Sequence, residues 1–530
     1  MKIILRIAAP IISLLAALMA LSPLPPAVAE TLAEIDQEIQ ADPSIKTDRG
    51  GLDAYNIYQG VTTSRLDRKI NILAGSGINP RFYQSADGVR DYSNFYSFTG
   101  RAGATDTKLD IVTTESSLRL YRRGSSRYKE ATGYLGSWWG DQYRGTLASR
   151  DQQAILAAWG SDLQRIYVID VPTGHSLVGG LAAPMERNGE YRGGGAYQYY
   201  YRGAPANWLV YALYAPDYLK SYAGAVTSAQ KAGRGIATGL GSHLHGTRLA
   251  AGDTHGEAGD QTAGDLWLRG YGGSLDSDER DGSSTESTTM GMSAGWQRRI
   301  PADRSAVYLG LIFGHGANLQ QYDGSGVEND TRATVGGIYG LYIANPEGPQ
   351  SWYGNGSVLL GGLSMHNSVP GELGYGLDQE YNGQIAVVTV ENGISLRQGN
   401  SWFFEPHLQL SYTRIHQSDF HDQLGARISL QQGDSFSGRL GLEVRKSILD
   451  SKDLRLHLWT RLSYLRNFSG ANEVDVDGDL ASSALERNSP ALAAGTDLKL
   501  SAQWSLQAQI EQIFAGEEGL QGNLALRYTW

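Results

Sequence analysis

The sequence predicts an all-β transmembrane barrel of about twelve antiparallel strands, preceded by a compact N-terminal α+β domain. Three observations carry the prediction. The last eight residues, Asn523 to Trp530, alternate polar and apolar. A strand of period two then puts Leu524, Leu526, Tyr528 and Trp530 on one face and Ala525, Arg527 and Thr529 on the other. A succession of amphipathic segments separated by turn-rich stretches fills residues 265–530. The first 29 residues have the build of a cleaved export signal. A closing strand with an aromatic end suits a bilayer, with lipid on one face and lumen on the other.

Lys2 and Arg6 precede an apolar run over 7–21, and Pro23, Pro25 and Pro26 lead to Ala27, Val28 and Ala29 before Glu30. The run is broken by Pro10 and falls short of the about 20 apolar residues that a spanning helix needs. Residues 1–29 are therefore expected to be removed on export. No later segment reaches that length without charge or glycine, so a membrane location has to come from strands. The chain has no cysteine, which suits a polypeptide that must stay unfolded until it enters a second membrane. Its 67 glycines in 530 residues exceed the usual share of about 7%. Curved strands use glycine, and the 30 tyrosines favour a membrane interface. A net charge of −10 argues against a nucleic-acid partner, because phosphate binding takes a basic footprint.

Residues 30–217 lack short repeating rungs and read as one domain, long enough for a core and a pocket. Its start is polar and helical, with Ile35, Ile39 and Ile45 among acids. Three pieces stand out further on: the alternating strand from Leu118 to Gly124 with the aromatic stretch from Gly133 to Gly140, the strand and turn from Arg165 to Gly174, and Gly193 to Tyr201. An arginine at a strand end, a serine beside aromatics and a glutamine after three glycines together resemble ADP-ribosyltransferase-like toxin domains, including their NAD-hydrolysing branch, over residues 115–201. The resemblance implies NAD as substrate. Cleaving its nicotinamide bond develops positive charge on the ribose, so the site needs a cation for pyrophosphate, an aromatic wall and a polar group beside the ribose. Arg122 would hold phosphate through its bidentate fork, Tyr121 and Trp138 would stack, Ser137 would shape the pocket, Gln198 would contact ribose and Gly195 would lie in the cofactor-binding loop. Gln198 stands where transferases of this class place a catalytic glutamate, which favours NAD binding or hydrolysis over protein modification.

Plainer readings compete with that one. Arg122 is also a solvated strand-end charge, Trp138 and Trp139 are core, and 193–195 is a loop. In a binding protein, Trp138, Trp139 and Tyr197 to Tyr201 are contact residues for a host or bacterial surface target. The stretch from Thr173 to Ala182 looks like a lipase nucleophile turn around Ser176, but Val178 occupies the second glycine position of Gly-x-Ser-x-Gly. The histidines that follow, His243 and His245, fall beyond the domain, so Ser176 reads as a turn residue after Pro172. With no cysteine and that one close histidine pair, no metal is expected.

From Asp265 the candidate strands are 266–271, 289–297, 306–314, 333–343, 351–363, 385–396, 402–414, 438–446, 454–465, 491–500, 504–514 and 523–530. Clusters of Asp, Gly and Pro at 278–282, 345–349 and 475–479 supply turns. Residues 426–430 belong to a long hairpin above the membrane, because bacterial barrels use even strand numbers. Alternation is clearest over 454–465, where Leu454, Leu456, Leu458, Thr460, Leu462 and Tyr464 share one face and Arg455, His457, Trp459, Arg461 and Ser463 the other. Such strands come close to the 9 to 11 residues that cross a bilayer.

Four segments carry a family resemblance: Asp265-Leu-Trp-Leu-Arg-Gly-Tyr-Gly, Tyr308-Leu-Gly-Leu-Ile-Phe-Gly, Phe404-Glu-Pro-His-Leu-Gln-Leu-Ser-Tyr and Leu526-Arg-Tyr-Thr-Trp. In this order and spacing they resemble the translocator domain of classical autotransporters of type V secretion. The resemblance covers 265–530. It implies a helix threading the barrel lumen, a passenger upstream, and an outer-membrane location with the passenger on the cell surface or released. It also implies outer-membrane lipid and the barrel-assembly machinery as partners, the latter reading Leu524, Leu526, Tyr528 and Trp530 as its signal. Residues 218–249 suit the helix, with Lys231, Arg234 and Arg248 able to meet lumen carboxylates, and 218–264 forms helix and linker. Six glycines there each cost a helix about 1 kcal/mol relative to alanine. Glu391 and Arg461 are lumen-facing candidates for pairing with it.

Overall fold

The computed structural model describes residues 30–31, 110–125, 135 and 138–530, apart from short gaps at 158–160, 183–184, 188, 202–203, 252–263, 279–282, 301, 303, 347, 400 and 451–453. The expected export signal, the helical start around Ile35 to Ile45, Ser137 and the linker at 252–263 lie outside the described residues. Two units divide the chain: Met1–Tyr143 with Leu147–Val210, and Arg144–Thr146 with Tyr211–Trp530.

In the first unit a mixed polar and apolar chain builds strands β1 (Glu30–Thr31), β2 (Asp110–Thr113), β3 (Leu118–Gly124), β4 (Trp138–Gly140), β5 (Arg165–Val171), β6 (Ser176–Leu181), β7 (Met185–Arg187), β8 (Glu190–Arg192), β9 (Tyr197–Tyr200) and β10 (Leu209–Tyr214), with helix α1 (Thr146–Gln152). Eight of them form one sheet in the order β1-β2-β6-β9-β4-β3-β5-β10, and β7 and β8 make a separate hairpin. The run Ile166, Tyr167, Val168, Ile169 and Val171 in β5 is buried on both faces. That explains why it reads as a continuous apolar stretch, since a strand between two neighbours with both faces covered needs no polar side.

The second unit closes twelve antiparallel strands into a barrel: β11 (Gly264–Asp278), β12 (Ser284–Ile300), β13 (Ser305–Tyr322), β14 (Glu328–Ala344), β15 (Gln350–Val369), β16 (Leu377–Gln398), β17 (Trp402–His416), β20 (Asp434–Asp450), β21 (Arg455–Ser469), β24 (Asn488–Lys499), β25 (Trp504–Ile513) and β26 (Glu517–Thr529). β26 pairs with β11, matching Leu526 to Leu268 and Tyr528 to Leu266, so no edge is left to face lipid. The strands run to as many as 22 residues, longer than the bilayer minimum, because the hairpins keep pairing beyond the membrane. Residues 427–432 fall, as expected, outside the barrel wall. They form β19 (Arg427–Gln432), which joins β18 (Phe420–His421), β22 (Ala471–Val476) and β23 (Asp479–Ala484) in a four-stranded sheet. The β22–β23 turn is a two-residue link with Asp477 and Gly478 both at positive φ, 52° and 90°, the backbone that an Asp-Gly pair tolerates in a tight hairpin.

Side-chain alternation follows the sequence pattern. In β21, Leu458, Leu462 and Tyr464 point outward while His457, Trp459 and Ser463 are buried inward. Leu524, Leu526 and Trp530 are likewise exposed on the outer face and Ala525 is buried. Together with Leu266, Leu268, Met292, Leu309, Leu311, Phe313, Ile338 and Leu360 they clothe the wall in hydrocarbon, which only a lipid surround makes stable. Inside, aromatic rings lie across glycines of the next strand, Trp267 on Gly295 and Trp459 on Gly495, and a side chain at either glycine would overlap the ring. This is one use for the high glycine content.

The two rims differ. Trp530 N–H donates to the Gly264 carbonyl, so the chain end marks the rim whose links are 301–304, 345–349, 399–401, 451–454 and 500–503. The opposite rim carries 417–433 and 470–487. Short turns face the periplasm and long loops the exterior, which orients the barrel.

Candidate functional site

The lumen is filled by helix α2 (Ala215–Ala251), 37 residues and roughly 55 Å long at 1.5 Å per residue. It extends three residues before and two beyond the stretch expected from sequence. It is buried on almost every side, so no single apolar stripe marks it. A polar wall meets polar side chains at each level instead. The glycines that weaken an isolated helix let this one fit: a Cβ at Gly233 would sit 2.5 Å from Ile385 Cδ1, and one at Gly235 2.8 Å from the Tyr271 ring.

At the exterior rim the Tyr218 and Tyr222 hydroxyls both donate to Asp422 Oδ2, at 2.5 and 2.8 Å. The other oxygen of Asp422 accepts the backbone N–H groups of Leu424 and Ala426, so one carboxylate ties helix to loop. Burial pushes the Asp422 carboxyl above its usual range against these hydrogen bonds. Lower down, Gln230 and Asn472 exchange amide hydrogen bonds at 2.9 and 3.1 Å, Ser228 donates to Asn318, Lys231 to Ser287 at 2.8 Å and Arg234 to Glu517 at 2.7 Å. A cavity of about 100 Å³ lies beside the helix there, lined by Arg234, Tyr271, Glu517 and Asn523 among others.

Toward the periplasmic rim His243 stacks on Trp267, ring centroids 4.2 Å apart, and its Nε2 meets Gln297. His245 turns to another wall and pairs with Glu443 at 2.7 Å. Arg248 donates to Glu391 at 3.2 Å and Glu405 at 2.6 Å, and its guanidinium lies 3.8 Å from the Tyr353 ring centroid. His245, Glu405 and Glu443 bring ligand atoms within 4.8 Å of one another, but Arg248 already supplies the cation at Glu405. The arrangement is a plug: a rigid rod fixed at both rims by buried, paired polar groups.

Glu391, read from sequence as a lumen carboxylate, does pair with the helix. Arg461 lies over the Trp459 ring at 5.3 Å and beside the wall carboxylates Glu443 and Glu511. Asp422, Glu405, Glu443 and Glu517 were not picked out from sequence. Their signal is an acid at an inward position of an alternating strand or at a loop base, which shows only once the register is fixed.

In the first unit the register separates the residues proposed for NAD. Tyr121 pairs across to Gly140, and Gly140 to Gln198, so Tyr121, Trp138 and Gln198 share a face. Arg122, one residue on, takes the opposite face with Leu120 and Trp139, and donates to the Leu135 carbonyl. Gln198 is buried and its amide donates to the Gln153 carbonyl at 3.2 Å. Gly195, at φ 94°, donates its N–H to the Ala182 carbonyl in a loop crossing. Trp139 and Tyr199 are core, so they are unsuited as contact residues, while Trp138 and Tyr197 are half-buried. Ser176 opens strand β6, paired with Thr113. A strand residue is not the strand-to-helix elbow of a lipase.

The autotransporter β-domain family model matches residues 266–511. The pertactin autotransporter of Bordetella parapertussis is 27% identical over 249 residues, covering 47% of this chain and 26% of its own length.

Residues 266–511 are an autotransporter β-domain.

The adhesin BmaC autotransporter of Brucella suis is 26% identical over 242 residues, covering 39% of this chain and 7% of its own length. The chain thus spans about a quarter or less of these relatives' length. Among solved structures, the β domain of the Bordetella autotransporter Brka is similar with a TM-score of 0.41 and 20% identity, over 50% of this chain and 98% of that one. The translocator domain of NalP from Neisseria meningitidis gives 0.38 and 13%, over 56% and 98%. This autotransporter β-domain lies in the outer membrane. These similarities do not show the ADP-ribosyltransferase resemblance.

Proposed function

We propose that this autotransporter displays a small adhesin-type passenger and that helix α2, once the passenger is out, seals the lumen. The observation that carries the passenger reading is the β3-β4-β9 register, which puts Arg122 on the sheet face opposite Tyr121, Trp138 and Gln198. An NAD site needs phosphate cation and stacking wall around one ligand. A Gln198 amide committed to the backbone also argues for structure over catalysis. The adhesin reading is supported by half-buried Trp138, Tyr197 and Tyr201, exposed Tyr191, and the printed name of the Brucella relative. Aromatics are the side chains that bind surfaces at low entropic cost.

The test is NAD consumption by the purified full chain, wild type against Gln198→Ala, beside binding of passenger-displaying cells to a host-cell monolayer. No turnover, with adhesion falling stepwise as Trp138, Tyr191 and Tyr197 are replaced, is expected. Turnover that Gln198→Ala abolishes would overturn the adhesin reading.

A further inference from the structure

The lipid-facing wall has a trough. Across five neighbouring strands one hydrogen-bonded row reads Arg298, Leu309, Gly340, Gly356 and Val390, and all five side-chain positions face outward. The two central glycines leave a gap in a surface otherwise clothed in hydrocarbon. Leu311, Ile338, Val358 and Val388 wall it on one side. Tyr342 stands in the row below, and its ring lies 5.6 Å from that of Trp352, one row nearer the periplasmic rim. The space amounts to about 560 Å³ and its lining is almost wholly apolar, within the range of roughly 300–1,000 Å³ typical of ligand sites.

Packing does not account for the glycine at 356. Lumen-facing Gly295, Gly310, Gly393 and Gly495 sit under aromatic rings, whereas a Cβ at Gly356 would meet nothing nearer than 3.6 Å, and its φ is not positive. The row also rises through the membrane. Arg298 lies two residues from the periplasmic end of β12, Gly340 four from that of β14, and Gly356 six from that of β15. The charged end is therefore at the rim and the bare end in the hydrocarbon. Arg298 is exposed and has no ion-pair partner among the described residues. Arg304, exposed in the next turn, adds a second positive charge. A cation on the lipid face is tolerated near the interface when an anion meets it there.

We propose that this trough holds one glycerophospholipid of the periplasmic leaflet, its phosphate on Arg298 and one acyl chain along Gly340 and Gly356. A guanidinium fork holds a phosphate bidentately, and the groove accepts a chain without moving the wall. The partner follows from charge at the rim and hydrocarbon shape beyond it.

The experiment is native mass spectrometry of the detergent-purified full chain titrated with palmitoyl-oleoyl phosphatidylglycerol. Heat-modifiable gel mobility confirms that each variant is folded. Wild type should retain one phospholipid. Arg298→Gln should weaken retention at least tenfold, Gly356→Leu should abolish it by filling the trough, and Arg466→Gln at the opposite rim should leave it unchanged. Because the side chain introduced by Gly356→Leu would point outward, that variant keeps the barrel wall intact. Equal retention by all four proteins, no retained phospholipid in wild type, or loss that follows Arg466 would each overturn the proposal.

Discussion

Replacing Arg248 by alanine should unseat the inner end of the lumen helix. Arg248 donates to Glu391 at 3.2 Å and Glu405 at 2.6 Å and lies on the Tyr353 ring, with the arginine and Glu405 both buried. Two unit charges at about 4 Å in an effective dielectric of about 20 interact by about 4 kcal/mol, so two contacts give about 8 kcal/mol gross. Desolvation of three ions offsets much of that, and removing one partner of a buried cluster typically costs about 3–5 kcal/mol, because the remaining carboxylates stay buried without a cation. At about 1.4 kcal/mol per factor of ten, the docked fraction of the helix should fall relative to the released fraction by roughly two to three and a half orders of magnitude. The assay is conductance of the purified full chain in a planar bilayer, with thermal loss of heat-modifiable mobility alongside. Openings that are rare in wild type should become frequent in Arg248→Ala, and its melting temperature should drop. The double variant Arg248→Met with Glu405→Gln should recover part of both, since it removes charge from both sides. An Arg248→Ala protein with wild-type conductance and melting would refute the idea that this buried cluster anchors the plug.

Three further outcomes can be checked in the same preparations. Gly233→Leu should destabilise the plugged barrel by about 1–3 kcal/mol through overpacking against Ile385, seen as a lower melting temperature, whereas helix propensity alone predicts a gain; a rise would show that the helix does not press on the wall there. Asp422→Ala should free the exterior hairpin by orphaning the Tyr218 and Tyr222 hydroxyls, measured as faster proteolysis at 417–433, and unchanged cleavage would contradict it. Burial raises the Asp422 carboxyl above its ordinary 3.8, so the folded state holds the proton more tightly than the unfolded one. That contribution is complete below pH 3.8 and is lost as pH rises through the folded value. The melting temperature of wild type minus that of Asp422→Asn should therefore decline from about pH 4 upward, and a flat difference would remove the titration from this site.

Local alternation alone determined the barrel, its outward face and its closing strand. The period-two rule is a property of each strand, and lipid on the outside enforces it at every position, so Leu524, Leu526 and Trp530, or Leu458 and Leu462, could be assigned one strand at a time. Setting the hairpin at 426–430 apart took a further rule, the even strand number of bacterial barrels. The pairing of distant strands was not legible. That Glu405 and Glu391 converge on Arg248, that Asp422 receives two tyrosines, and that Arg122 lies across the sheet from Gln198 all depend on register, which a slip of one residue would invert. The helix shows the same divide from the other side. Its glycines counted against it in sequence, because propensity measures a helix in water, and only the enclosing wall of Ile385, Tyr271 and Gln507 turns those missing side chains into the room that lets it fit.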